Sequence, residues 1–179
     1  MRYCILVLLF LLPLNLKTQI VNFENSCVKS EVFFSFLYEH EVDSVKWDFG
    51  NGNFSYKKLA SNVYKYPGYF KVKLYLYLNG AVIKYSNYIE IFPEPVYDIS
   101  IDNLEDCLPH RIMLSTDNNY SSKWYYNDLK VSSKNYFDTT FKEINGLKHI
   151  HNIKLKLENK YGCERTIDLE NMVISYKKP

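Results

Sequence analysis

The sequence of 179 residues has almost no alanine, Ala60 and Ala81 alone, and so lacks the residue that most favours helix. It contains no G-x-S-x-G, no H-E-x-x-H and no phosphate-cradling glycine loop, the short signatures of common catalytic centres. No block of lysine or arginine is present, which removes the electrostatic footprint of a nucleic-acid binder. The longest apolar run, Tyr3 to Leu14, is about a dozen residues against the roughly 20 that a spanning helix needs. Cysteine is limited to four positions, Cys4, Cys27, Cys107 and Cys163.

What is abundant is aromatic: 17 tyrosines and 11 phenylalanines, alongside many Val and Ile. Such a composition favours strands, and the chain is expected to be almost entirely β. At the N-terminus Arg2 precedes the apolar run, and a short polar stretch with Thr18 and Gln19 follows it. That order of charge, apolar run and polar end reads as a secretory signal peptide over residues 1–19, cleaved before Ile20. Cys4 lies at the start of the run rather than after it, so no lipid anchor is expected, and no transmembrane segment remains after cleavage. Of the 22 basic residues, Arg2 and Lys17 leave with the leader, so 20 then balance 20 acidic ones.

An internal repeat sets the expected architecture. CVKSEVFFSF from Cys27 aligns with CLPHRIMLST from Cys107, placing Val32 and Phe34 over Ile112 and Leu114. Trp47 and Trp124, the two tryptophans, lie 77 residues apart in similar contexts, and VKLYLYLNGA from Val72 aligns with IKLKLENKYGC from Ile153. YIEIF near Ile89 matches NMVIS near Val173. Between the copies Pro93 and Pro95 disfavour helix and central strand alike. The expected domains are residues 20–94 and 95–179. Within them, Phe70, Val72, Leu74, Leu76 and Leu78 alternate with Tyr69, Lys71, Lys73, Tyr75 and Tyr77, the period of a strand with one buried face. Short alternating strands with Asn/Gly turns predict an antiparallel β-sandwich in each copy, with one tryptophan at its centre.

Trp47-Asp48-Phe49-Gly50-Asn51-Gly52, followed by Tyr64, Pro67, Gly68, Phe70, Val72 and Leu74, resembles the PKD (polycystic kidney disease) domain family over residues 20 to 95. In the second copy Trp124-Tyr125-Tyr126-Asn127-Asp128 stands in for the tryptophan motif in degenerate form. Together the copies are similar to the tandem PKD and immunoglobulin-like repeats of Bacteroidetes surface proteins. The resemblance implies immunoglobulin-like sandwiches of seven strands, export, and spacer or adhesion roles, without naming a ligand. Related surface proteins often continue into a sorting domain. None is present up to Pro179, so the expectation is a product that stays in the periplasm or associates with the surface otherwise, or the front part of a longer one.

Several residues could carry chemistry. Cys107 and Cys163 bracket the second copy, and an exported chain should oxidise them to a disulfide. Closing that loop of about 55 residues would contribute on the order of 4 kcal/mol. Cys27 is then left as a free thiol, either buried as a small apolar group or bridging to another molecule. Asp48, Asn51 and Asp43 offer oxygens for a hard cation, but their types suit Asx turns, with Gly50 and Gly52 supplying unusual φ. His149 and His151 share a strand face but lack further ligands, and solvent-facing strand positions are expected for them. A Ser-His-Asp arrangement using His40, His110, His149 or His151 is not marked by any spacing. Tyr69, Lys71, Lys73, Tyr75 and Tyr77 form the most suggestive surface, either the ordinary outer face of a sheet or a face for protein or sugar rings.

These observations lead to an exported, non-enzymatic protein of the cell surface, exterior or periplasm, without cofactor or metal, whose tandem domains act as interaction, adhesion or spacer modules towards protein or extracellular glycan. The alternative is a carbohydrate-binding accessory module using the Tyr/Lys face.

Overall fold

The computed structural model describes residues 20–21, 26–38, 41–117 and 119–178. The expected signal peptide and His40 lie outside them. The described residues form eighteen strands and no helix, gathered around two separate cores. One holds Phe34, Trp47, Phe49, Tyr64, Val72, Leu74, Leu76 and Ile91. The other holds Ile112, Leu114, Trp124, Ile153, Leu155, Leu157 and Val173.

Both copies use one topology. In the first, a layer ordered Ser26–Cys27, Ala81–Phe92, Gly68–Leu78, Ser44–Asp48, Phe54–Ser55 accompanies a layer of Ile20–Val21, Glu31–Phe36 and Ala60–Val63. In the second, Ile99–Asp102, His110–Thr116 and Tyr136–Phe141 form the smaller layer. Its counterpart runs Glu164–Asp168, Ile153–Glu158, Ser121–Tyr126, Leu129–Ser132, and is continued by Lys148–His151, Val173–Tyr176 and Glu105–Cys107. Each copy opens its larger layer with a parallel pair, Cys27 beside Phe92 and Cys107 beside Tyr176. All the other pairs are antiparallel, as expected of a sandwich.

The alternation read in Gly68–Leu78 decides which face is buried. Val72, Leu74 and Leu76 are fully inside, and each such side chain contributes about 1.5–3 kcal/mol of transfer free energy. Trp47 pairs with Leu74, and Trp124 with Leu155. Both indoles are completely buried and donate Nε1–H to a carbonyl ten residues on, Lys57 at 3.2 Å and Lys134 at 3.1 Å. A buried indole needs such an acceptor, and the duplicated bond marks the copies as equivalent. Gly50 is required for two reasons: its φ is +76°, and a Cβ there would stand 2.6 Å from the Lys71 carbonyl oxygen.

The expected pairing of Cys107 with Cys163 is overturned. Cys163 is bonded to Cys27 across the two copies, with Cα atoms 5.6 Å apart, and Cys107 is the free thiol among the described residues. The reason is topological. Cys107 pairs with Tyr176 at the far end of the last strand, whereas Cys163 sits at the turn that begins that arm, thirteen residues earlier. At roughly 3.3 Å per residue the two ends are tens of ångströms apart, well beyond the ~7 Å limit for a bridge. Neither Cys27 nor Cys163 is therefore a free thiol.

Candidate functional site

Three arrangements stand out, the first of which is the junction. The turn Asn159–Cys163 is shaped by Asn159, whose Oδ1 accepts from the Tyr161 and Cys163 amides, both at 3.0 Å. Its Nδ2 donates to the Pro93 carbonyl at 2.9 Å. Tyr161 stacks on Phe92 with centroids 4.0 Å apart and planes 5° from parallel. Arg165 donates to the Pro95 carbonyl and lies over the Tyr97 ring. The proline segment between the copies is thus clasped by the turn that also carries Cys163.

The second arrangement is a buried polar row in the second copy. His110, His151 and Ser175 are all but inaccessible. The Asn103 carbonyl, 2.8 Å from His110 Nε2, can only accept, so Nε2 carries the proton and Nδ1 is a lone pair. Ser175 Oγ, 2.7 Å from that lone pair, donates to it and in turn accepts from His151 Nε2–H at 2.8 Å. His151 Nδ1 then accepts from the Tyr126 hydroxyl at 3.0 Å. Every proton points one way, from Tyr126 through His151, Ser175 and His110 to Asn103, with both imidazoles neutral. Phe141 stacks on His151 at 3.5 Å and His149 meets its edge at 4.8 Å. The expectation of solvent-facing histidines fails for His151, because the inward series Ile153, Leu155, Leu157 extends back to it two residues at a time; His149 is half-buried. Those alternations were the available signal, as were Ile112 and Leu114 for His110.

A serine between two imidazoles has the residue types of an activated nucleophile. Here its proton is already committed to His110 and its oxygen is sealed in the core, so the row acts as packing. In the first copy three of the four places hold apolar groups: Phe70 stands for His151, Ile91 for Ser175 and Phe49 for Tyr126, by the pairings that align the copies, while the place of His110 falls to the exposed Ser30. There the layer is closed by Tyr64, its ring tilted against Phe70 with centroids 4.5 Å apart and its hydroxyl donating to the Phe49 carbonyl at 3.0 Å. Burial pushes the Tyr64 hydroxyl up to about 12.

Burial in the core depresses His151 to about 4, and a proton arriving on the neighbouring His149 or His110 ring would push it the same way. An unfolded histidine takes its proton near 6.5, so between about pH 6.5 and 4 the unfolded chain binds more protons than the folded one. The stability that neutral His151 supplies is therefore complete above pH 6.5 and is lost as pH falls towards 4. With solvent screening allowed for, the loss is on the order of 1–2 kcal/mol. Melting at pH 4.5 is expected several degrees below melting at pH 7, and His151→Phe, the first copy's solution, is expected to flatten that difference. An unchanged pH dependence in the variant would refute the assignment.

The third arrangement is the outer face of the first copy's larger layer. Tyr69, Lys71, Lys73, Tyr75 and Tyr77 all point away from the core. Across the sheet Tyr75 stands in register with Lys84 on one side and Lys46 on the other. Lys84 lies over the Tyr75 ring at 5.7 Å, Lys71 over Tyr88 at 5.8 Å, and Lys46 over Phe54 at 4.8 Å. Lys73 is bound to Asp48 at 3.0 Å. Burial opposes ionisation of Asp48, but the Lys73 ammonium and the Gly50 amide outweigh it and hold the carboxyl below its usual range. Tyr69 is bonded to Glu90, which raises its hydroxyl.

The remaining sequence candidates sit in turns. Asp48 Oδ1 accepts from the Gly50 amide at 3.0 Å, Asn51 Oδ1 from Asn53 at 3.1 Å and Asp43 Oδ2 from Asn79 at 2.7 Å. The described residues contain no group of three or more His, Cys, Asp or Glu placed to hold a metal.

No protein family model matches the chain, and no curated protein does. Solved structures of similar fold include fibronectin(III)-like modules of CbhA from Clostridium thermocellum, 12% identical over 90% of this chain and 94% of that one, with a TM-score of 0.39. Carbohydrate-binding modules of the β-sandwich superfamily align at 15% identity over 80% of this chain and 58% of theirs, with a TM-score of 0.40. The amphioxus IgVJ-C2 molecule aligns at 10% identity over 80% and 98%, with a TM-score of 0.33.

Proposed function

We propose that the chain is an exported, non-enzymatic pair of immunoglobulin-like β-sandwich domains, the first of PKD type, held at a fixed angle so as to space and present faces to a partner outside the cytoplasm. The observation that carries this reading is the clasp across the linker. A proline linker alone leaves neighbouring domains free to reorient, but here Cys27–Cys163, the Asn159 bond to Pro93 and the Phe92–Tyr161 stack bind the two copies at one point. A disulfide of this kind suits an oxidising compartment, in keeping with the leader-like residues 1–19.

Small-angle scattering on the oxidised chain is expected to fit one interdomain geometry, and reduction or a C27S/C163S variant is expected to broaden it to a range of angles. An oxidised chain as variable as the reduced one would end the rigid-module reading. A second reading, binding of a glycan, is favoured by one observation: the row Lys84–Tyr75–Lys46 on an exposed sheet face.

A further inference from the structure

We infer that the outer face around Tyr75 is a binding site for an anionic polysaccharide, one bearing carboxylates on pyranose rings; this rests on the presentation role proposed above and names what is presented to. Strands lie about 4.8 Å apart, so Lys84 and Lys46 flank Tyr75 with backbones roughly 10 Å from each other, on a line across the sheet. A sugar ring laid on the tyrosine would place its apolar C–H face on the aromatic ring and its charged edges between two ammonium groups.

The charge of the face is one-sided where it is uncommitted. Asp48 is taken by Lys73 and Glu90 by the Tyr69 hydroxyl. Lys46, Lys71 and Lys84 make no ion pair among the described residues and rest instead on rings. Two of those rings are open, Tyr88 62% and Phe54 53% exposed, while Tyr75 between its two lysines is half-buried. Tyr88 and Lys71 lie two rows along the same strands, about 14 Å from Tyr75, so a second ring-and-cation pair continues the track.

The alternatives fit less well. An acidic peptide offers no flat apolar ring face to the tyrosines. A single-stranded nucleic acid could stack on them, but it needs a continuous basic groove that follows its backbone, whereas Lys46, Lys71 and Lys84 stand singly, each beside its own ring.

The test is titration of the folded, oxidised chain with polygalacturonate, its methyl ester, polyglutamate and oligo(dT), read by affinity electrophoresis and calorimetry at two salt concentrations. Polygalacturonate is expected to bind, more weakly at high salt, and the neutral methyl ester to bind at least roughly tenfold less well. Tyr75→Ala and K46E/K84E are each expected to weaken binding about tenfold or more with melting unchanged, whereas Lys130→Glu, an exposed lysine of the second copy, leaves it as it was. Equal loss in Lys130→Glu, tighter binding of polyglutamate or oligo(dT), or no binding at all would each overturn the site. In the last case, a chain that still scatters as one rigid body leaves the rigid-module reading standing.

Discussion

A C27S/C163S double variant is expected to melt at least about 10 °C below the parent chain, whereas C107S melts with it. The two bonded cysteines are separated by 136 residues, and by the chain-entropy relation a cross-link over that distance removes roughly 5 kcal/mol of freedom from the unfolded ensemble. All of the first core lies inside the loop it closes, as does most of the second. The bond therefore restrains the unfolding of both copies and the opening between them. Differential scanning calorimetry of the three proteins, with non-reducing peptide mapping, decides the matter. If C107S falls as far as the double variant, the bridge is instead Cys107–Cys163 within the second copy, since that pairing would be broken in both proteins.

The second large effect concerns the tryptophans. Trp47→Ala and Trp124→Ala each remove a fully buried indole from the centre of a core, which costs about 3–5 kcal/mol. Each also orphans a carbonyl, of Lys57 or Lys134, at about 1 kcal/mol more. For a domain of some 80 residues this corresponds to a drop in melting temperature on the order of 15–30 °C. Because the chain has only these two tryptophans, each variant keeps one fluorophore, in the core that was not damaged. The remaining tryptophan is expected to stay buried, with blue-shifted emission, while circular dichroism records loss of the other half. Simultaneous exposure of the surviving tryptophan would mean that the copies fold as one unit, contrary to the two-domain division.

The strands were legible because their signal is local. Phe70, Val72, Leu74, Leu76 and Leu78 declare a buried face by alternation alone, and Trp47 and Trp124 declare their equivalence by spacing. The disulfide was not legible, since aligned cysteines report equivalence within copies and Cys27 meets Cys163 only through the docking of one copy on the other. The histidines were half legible. Their parity with Ile153 and Ile112 placed them inside, but residue type pointed outward, and the deciding fact is that Ser175, far along the chain, arrives to satisfy both rings. On the outer face, Tyr75 and the other rings of its strand were visible in the sequence. The flanking cations Lys46 and Lys84 were not, because they come from two other strands brought into register only by the fold.

The one-way run of protons from Tyr126 to Asn103 has a consequence for how such a sequence can change. Replacing Ser175 alone by alanine strands a donor on His151 and an acceptor on His110 at once, and replacing either histidine alone leaves Ser175 half satisfied. No member can be altered without spoiling its neighbour, so the row is expected to change only as a block. The first copy, with Phe70, Ile91 and Phe49 in the matching places, is the other self-consistent block. Intermediates between the two would carry unpaired polar groups in a small core, which makes this layer a barrier between the sibling halves. Recombination that mixes them should succeed only when the whole set travels together.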